Sequence, residues 1–93
     1  GTAASGEGVL GLVAGFQMAG ARHVIASLWK VDDEATRLLM EGLYDRLLST
    51  TAPLAPSEAL RASALALRER ALPDGSRPFA APRFWAAFVA YGR

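Results

Sequence analysis

His23-Val24-Ile25-Ala26-Ser27-Leu28-Trp29-Lys30-Val31-Asp32-Asp33-Glu34-Ala35-Thr36 is the stretch that decides the fold, because an apolar run ends in it abruptly against three acidic residues. From Val24 to Trp29 it carries one hydroxyl and no charge. Its β-branched and aromatic residues fall on both faces, as a strand covered on both sides requires. The spacing therefore predicts a buried strand over Val24–Trp29. Asp32 or Asp33 is then placed to cap the following helix, since a carboxylate accepts the unpaired amide protons of a first turn and is favoured by the helix dipole. In open α/β sheets the carboxyl end of a strand is where ligands bind.

Working outward, Gly1 to Gly8 holds three glycines and a serine, a composition suited to a tight loop approaching another backbone closely. Val9–Ala19 reads as a buried helix with Leu12, Phe16 and Ala19 on one stripe and Gly11 and Gly15 forming a flat strip. Gly20 is placed to end it in the left-handed conformation. Beyond the acidic residues, Ala35, Leu39, Leu43 and Leu47 recur every four positions, which predicts an amphipathic helix over Glu34–Leu48. Ser49–Pro56, with two prolines and three hydroxyl residues, is a connector.

Ser57 is expected to cap a third helix whose inner stripe is Leu60, Ala64, Leu67 and Ala71, stopped by Pro73-Asp74-Gly75. Arg61, Arg68 and Arg70 are read as its solvated face. Gly75–Pro82 is a loop, and Phe84–Tyr91, apolar throughout, is read as a second buried strand rather than a short helix. The order of elements implies right-handed crossovers and a mostly parallel sheet. Two strands alone make no stable sheet.

Composition narrows the function classes. The chain has 93 residues, of which 52% are hydrophobic, and no cysteine. A domain this small buries only roughly 60–65% of its unfolded surface, so part of this apolar content is expected to lie against another segment. A net charge of +1, from ten basic and nine acidic residues, supplies no field that points to nucleic acid or an anionic membrane. No apolar run reaches the ~18–20 residues that span a bilayer. A cytoplasmic protein is expected.

Three motifs in order carry a family resemblance: Gly6-Glu7-Gly8-Val9 to Gly20-Ala21-Arg22, then Ala26-Ser27-Leu28-Trp29-Lys30-Val31-Asp32-Asp33-Glu34-Ala35-Thr36, then Phe84-Trp85-Ala86-Ala87-Phe88-Val89-Ala90-Tyr91-Gly92. Together they resemble the C-terminal part of a CHAT domain, a family of caspase-like cysteine peptidases often fused to tetratricopeptide repeats. The resemblance implies a fold: the C-terminal half of an α/β, caspase-like three-layer sandwich, with a mostly parallel sheet flanked by helices. It implies that residues 1–93 are a partial domain lacking its catalytic dyad. The cysteine of the family precedes a small loop and Gly-Glu-Gly, so here it would fall just before Gly1, and the histidine would lie earlier still. No residue of this chain inherits a catalytic role.

What the chain would supply is substrate-binding wall, with Ser27, Trp29, Val31 and Asp33 facing the missing nucleophile. Separase, a relative of the family, has a similar tryptophan-containing strand followed by an acidic segment, and its aspartate there recognises an arginine before the scissile bond. Asp33 is the matching position. The implied partners are the upstream half of the same domain, a protein or peptide substrate and a tetratricopeptide-repeat domain, with no nucleic acid, membrane or cofactor. A noncatalytic interaction module of the same fold is the rival from another class.

Other patterns compete. Gly6-Glu7-Gly8-Val9-Leu10-Gly11 fits G-x-G-x-x-G, and Asp32 follows about 20 residues later, as in a dinucleotide fingerprint. The same glycines also suit a turn into a closely packed helix. His23, the one histidine, sits at a helix-to-strand junction, where a surface role is the simplest reading. Ser5 and Ser27 are possible nucleophilic partners for it only in the abstract, because no spacing supports a triad.

Overall fold

The computed structural model describes Met18 and residues 20–92. The expected helix over Val9–Ala19 and the glycine-rich stretch before it lie outside the described residues, Met18 apart. Gly20 carries φ of +109°, in the left-handed region that favours glycine.

β1 spans His23–Ser27, and β2 spans Phe88–Gly92. They pair with each other antiparallel, His23 opposite Gly92, Ile25 opposite Ala90 and Ser27 opposite Phe88. The expectation of a mostly parallel sheet is thus corrected: among the described residues the sheet is a two-stranded antiparallel ribbon. Among the described residues the helices and the ribbon make up two layers of the three that the resemblance implies. The smallest principal extent is 15 Å, room for helices on one face of a sheet, since packed layers lie about 10 Å apart. The architecture is mixed α/β.

Neither strand is buried as expected: the inner residues of β1 and most of β2 are half-buried, and His23, Ser27 and Gly92 at the strand ends are exposed, because among the described residues helices cover one face of the ribbon. Ile25, Phe88 and Ala90 pack against the helical core, and because side chains alternate along a strand, Val24, Ala26, Val89 and Tyr91 share the opposite face. The pairing stops earlier than the hydrophobicity does. Leu28 still donates its amide to the Ala87 carbonyl at 2.7 Å, but Trp29 has left the ladder and is 37% exposed. Gly92 lets the His23 ring lie close across the ladder, since a Cβ there would sit 2.6 Å from Nδ1 of His23 and turn that exposed ring aside.

α1 runs over Asp33–Leu47. Its buried Ala35, Leu39 and Leu43 stack on one stripe, and Glu34, Arg37 and Glu41 occupy the solvent side. Arg37 bonds both carboxylates at 2.6 Å. α2 runs over Pro56–Glu69 and buries Ala59, Leu60, Ser63 and Leu67. Here Ser57 is not the cap. Ala55 holds that position without a side-chain bond, because Pro56 begins the helix with its fixed φ and has no amide proton to satisfy. Ala71 lies beyond the helix end and is exposed.

Between the helices Ser63 Oγ donates to the Ala59 carbonyl at 2.7 Å, and Arg46 reaches both Ser63 Oγ and the Gly42 carbonyl. This satisfies the one buried polar side chain found among the described residues. The loop after α2 is closed by Ser76, whose amide and hydroxyl both donate to Asp74 Oδ1, and those bonds hold the Asp74 carboxyl below the ordinary carboxylate range.

The stretch Phe84–Tyr91 is the second correction. α3, a single turn over Pro82–Trp85, precedes β2, so the apolar run is a helical turn followed by a strand. Periodicity cannot separate the two when every position is apolar. Pro82 sits at the first helical position, the place where its missing amide proton costs nothing. Trp85 Nε1 donates to the Ala80 carbonyl at 2.9 Å, and the Arg68 guanidinium lies 5.5 Å from the Trp85 ring centre. The turn is thereby fastened to α2.

Candidate functional site

Where β1 ends, the chain leaves the ladder through Leu28 and Trp29 and enters α1 at Asp32. This exit and α3 enclose a cleft of about 380 Å³ lined by Trp29, Lys30, Val31, Asp32, Arg83 and Phe84. Its two walls are 54 residues apart in sequence and are joined by one bond, from Trp29 Nε1 to the Arg83 carbonyl at 3.1 Å. That bond fixes the indole edge while leaving part of its face open.

The floor is set by aromatic packing. Phe84 meets Phe79 edge-to-face, with ring centres 5.3 Å apart, and the Arg83 guanidinium lies 4.6 Å from the Phe84 ring centre. Stacking covers one face of that cation and leaves its in-plane N–H groups available as donors. Lys30 adds a second positive charge on the other wall.

Asp32 brings the one carboxylate of the lining, and one of its oxygens is already engaged. Its Oδ2 accepts the Ala35 amide at 3.1 Å, with extended backbone at φ −50° and ψ 137°, so it is the helix cap. This decides between the two aspartates: Asp33 is the first residue of α1 and exposed, and among the described residues its carboxylate has no hydrogen-bond partner.

The expected wall residues are thus divided by the structure. Trp29 and Val31 line the cleft. Ser27 is the exposed last residue of β1, opposite Phe88, and Asp33 lies one residue past the lining. Lys30, Arg83 and Phe84 were not singled out by the sequence. Arg83 was hidden by the reading of its neighbours as loop and strand. Its available signal was Pro82, which marks a helical start rather than the end of a loop.

His23 and Ser27 stand four residues apart on one strand, about 13 Å by the rise of an extended chain, which excludes them as a hydrogen-bonded pair. Ser5 and Gly6, Gly8 and Gly11 of the dinucleotide-like pattern lie outside the described residues. Among the described residues no cluster of histidine and carboxylate side chains is placed to hold a metal ion, and no helix is long and apolar enough to cross a membrane.

A family model for the CHAT domain matches residues 1–93. The chain belongs to the CHAT domain family. Human tetratricopeptide repeat protein 28 is 31% identical to it over 86 residues, covering 92% of this CHAT chain. That alignment takes in 3% of the length of the human protein. No solved structure matches the chain.

Proposed function

We propose that this CHAT chain forms substrate-binding wall in a caspase-like cysteine peptidase domain, with the thiol and the imidazole supplied by sequence upstream of Gly1. The observation that carries the reading is the cleft at the carboxyl end of β1, on a chain of this family that has no cysteine of its own. Attack on a peptide carbonyl needs a thiolate beside a base. The chain's part is to hold and orient an extended peptide, so that binding energy is spent on positioning the reacting bond.

In this reading Trp29 and Val31 flank the peptide, Ser27 lies beside its path, and Asp33 receives a basic side chain before the scissile bond. Asp33 suits that role because Asp32 has taken over the cap. The likeness to a tetratricopeptide repeat protein supports a fused repeat domain as the part that selects or presents the substrate.

The test compares the 93-residue chain alone with the chain joined to its natural upstream sequence, using arginine- and leucine-containing fluorogenic peptides. The chain alone is expected to hydrolyse none. The joined domain is expected to cleave, and replacement of the upstream cysteine by alanine is expected to abolish cleavage. Hydrolysis by the chain alone would refute the assignment. Binding of peptides without cleavage by the joined domain would favour the noncatalytic interaction module.

A further inference from the structure

We infer that the cleft between β1 and α3 takes the carboxylate of an acidic side chain in an extended peptide, with Lys30 and Arg83 as its cationic receptors. The inference rests on the peptide-binding reading above and adds a second charge preference to it, opposite in sign to that of Asp33.

What sets these two cations apart is the cleft they share, since among the described residues Arg22, Arg61 and Arg70 form no ion pair either. Arg37, Arg68 and Arg77 each bond a glutamate, and Arg46 is consumed by Gly42 and Ser63. Among the described residues Lys30 and Arg83 have no carboxylate within ion-pair distance, although both line the same cleft. The acidic residue beside them, Asp32, directs Oδ2 to the Ala35 amide. With two cations and one engaged carboxylate, the lining is complementary to a negative group.

Geometry favours a carboxylate over a bulk anion effect. The Phe84 ring beneath Arg83 restrains the plane of the guanidinium, and a planar fork presents two parallel donors to the two oxygens of a carboxylate. The bond from Trp29 to the Arg83 carbonyl keeps the opposing wall in place. A volume of about 380 Å³ is at the small end of ligand clefts, roughly 300–1,000 Å³. Trp29 and Val31 offer apolar contact to the methylenes that precede a glutamate carboxylate.

The probes are fluorescein-labelled alanine-rich octapeptides carrying one glutamate, glutamine or lysine, titrated by anisotropy against the joined domain at low and high salt. The glutamate peptide is expected to bind about fivefold more tightly than the glutamine peptide, the range open to two partly exposed charge pairs, and less so at high salt. Lys30→Gln with Arg83→Gln should bring the ratio close to one. The double charge reversal Lys30→Glu with Arg83→Glu should make the lysine peptide the tighter ligand. Because Trp29 bonds the backbone carbonyl of residue 83, the glutamine variant retains that bond, and an unchanged melting temperature confirms it.

A ratio that survives the double glutamine variant would overturn the assignment to Lys30 and Arg83. Equal binding of all three peptides by the parent would overturn this inference alone, whereas binding of none would overturn the peptide-binding reading with it.

Discussion

Replacing Asp32 and Asp33 one at a time separates a structural carboxylate from a recognition carboxylate on adjacent residues. Asp32→Ala removes the acceptor 3.1 Å from the Ala35 amide, and loss of such a cap costs about 1 kcal/mol, within roughly 0.5–2. That lowers the melting temperature by about 4–8 °C per kcal/mol in a domain of roughly 60–100 residues and by about half as much in a larger joined domain. Asp33→Asn removes no hydrogen bond among the described residues. It deletes one of two acidic side chains in the first turn of α1, a dipole contribution of about 0.3–1 kcal/mol at most, with Glu34 remaining. Function should order the variants the other way. Asp33 is exposed, so a pair with an incoming guanidinium is screened and worth about 0.2–1 kcal/mol, or roughly 1.4- to fivefold in kcat/KM. The assay is the ratio of arginine- to leucine-peptide cleavage by the joined domain, alongside thermal unfolding. Asp33→Asn is expected to lower the ratio and barely move the melting temperature, and Asp32→Ala to do the reverse. A large melting shift for Asp33→Asn with an unchanged ratio would refute the division of roles.

Two further perturbations probe the scaffold of the joined domain. Leu39 is 1% exposed at the centre of the core, and Leu39→Ala should cost about 2–5 kcal/mol by urea unfolding; a loss under 1 kcal/mol would mean that the core is not closed around it. The hydrogen bond from Arg37 holds the Glu34 carboxyl below its ordinary range, so its stabilising contribution is complete above the unfolded glutamate value and is lost as pH falls through the folded one. The urea midpoints of the parent and Glu34→Gln should therefore differ more at pH 6 than at pH 3. Equal differences at both would remove the pair from the stability of α1.

What the sequence made legible was whatever a single period or cap specifies. α1 was readable because Ala35, Leu39 and Leu43 repeat at helical spacing beneath charged neighbours. β1 was readable as a strand because a short run without charge favours an extended, sheltered chain, although its burial was overestimated: its inner residues are only half-buried and its ends exposed. Its length was not readable, since Leu28 and Trp29 are as apolar as the residues before them, and only the position of β2 decides where pairing ends. The direction of that pairing was lost for a related reason. Phe84–Tyr91 is apolar at every position, so no period marks the boundary at which α3 becomes β2, and without it the strand cannot be oriented. Pro82 held the missing information, as a helical first residue.

The same boundary determines what the cleft can do. Had residues 84–91 formed one strand, Arg83 would lie on the preceding loop, with no single-turn helix to set its side chain over Phe84 and its carbonyl under Trp29. Because the chain makes a turn first, one residue both anchors the tryptophan through its backbone and presents a cation through its side chain. Substitutions at position 83 therefore sample only the second function, whereas a residue that breaks the turn, such as proline at Phe84, would remove the amide that bonds the Ala81 carbonyl at 3.1 Å and displace both. Fluorescence of Trp29 distinguishes the cases: the indole should keep its environment in Arg83→Gln and become solvent-exposed in Phe84→Pro, and a Trp29 signal equally perturbed by both would show that the side chain of Arg83, rather than the turn, holds the cleft together.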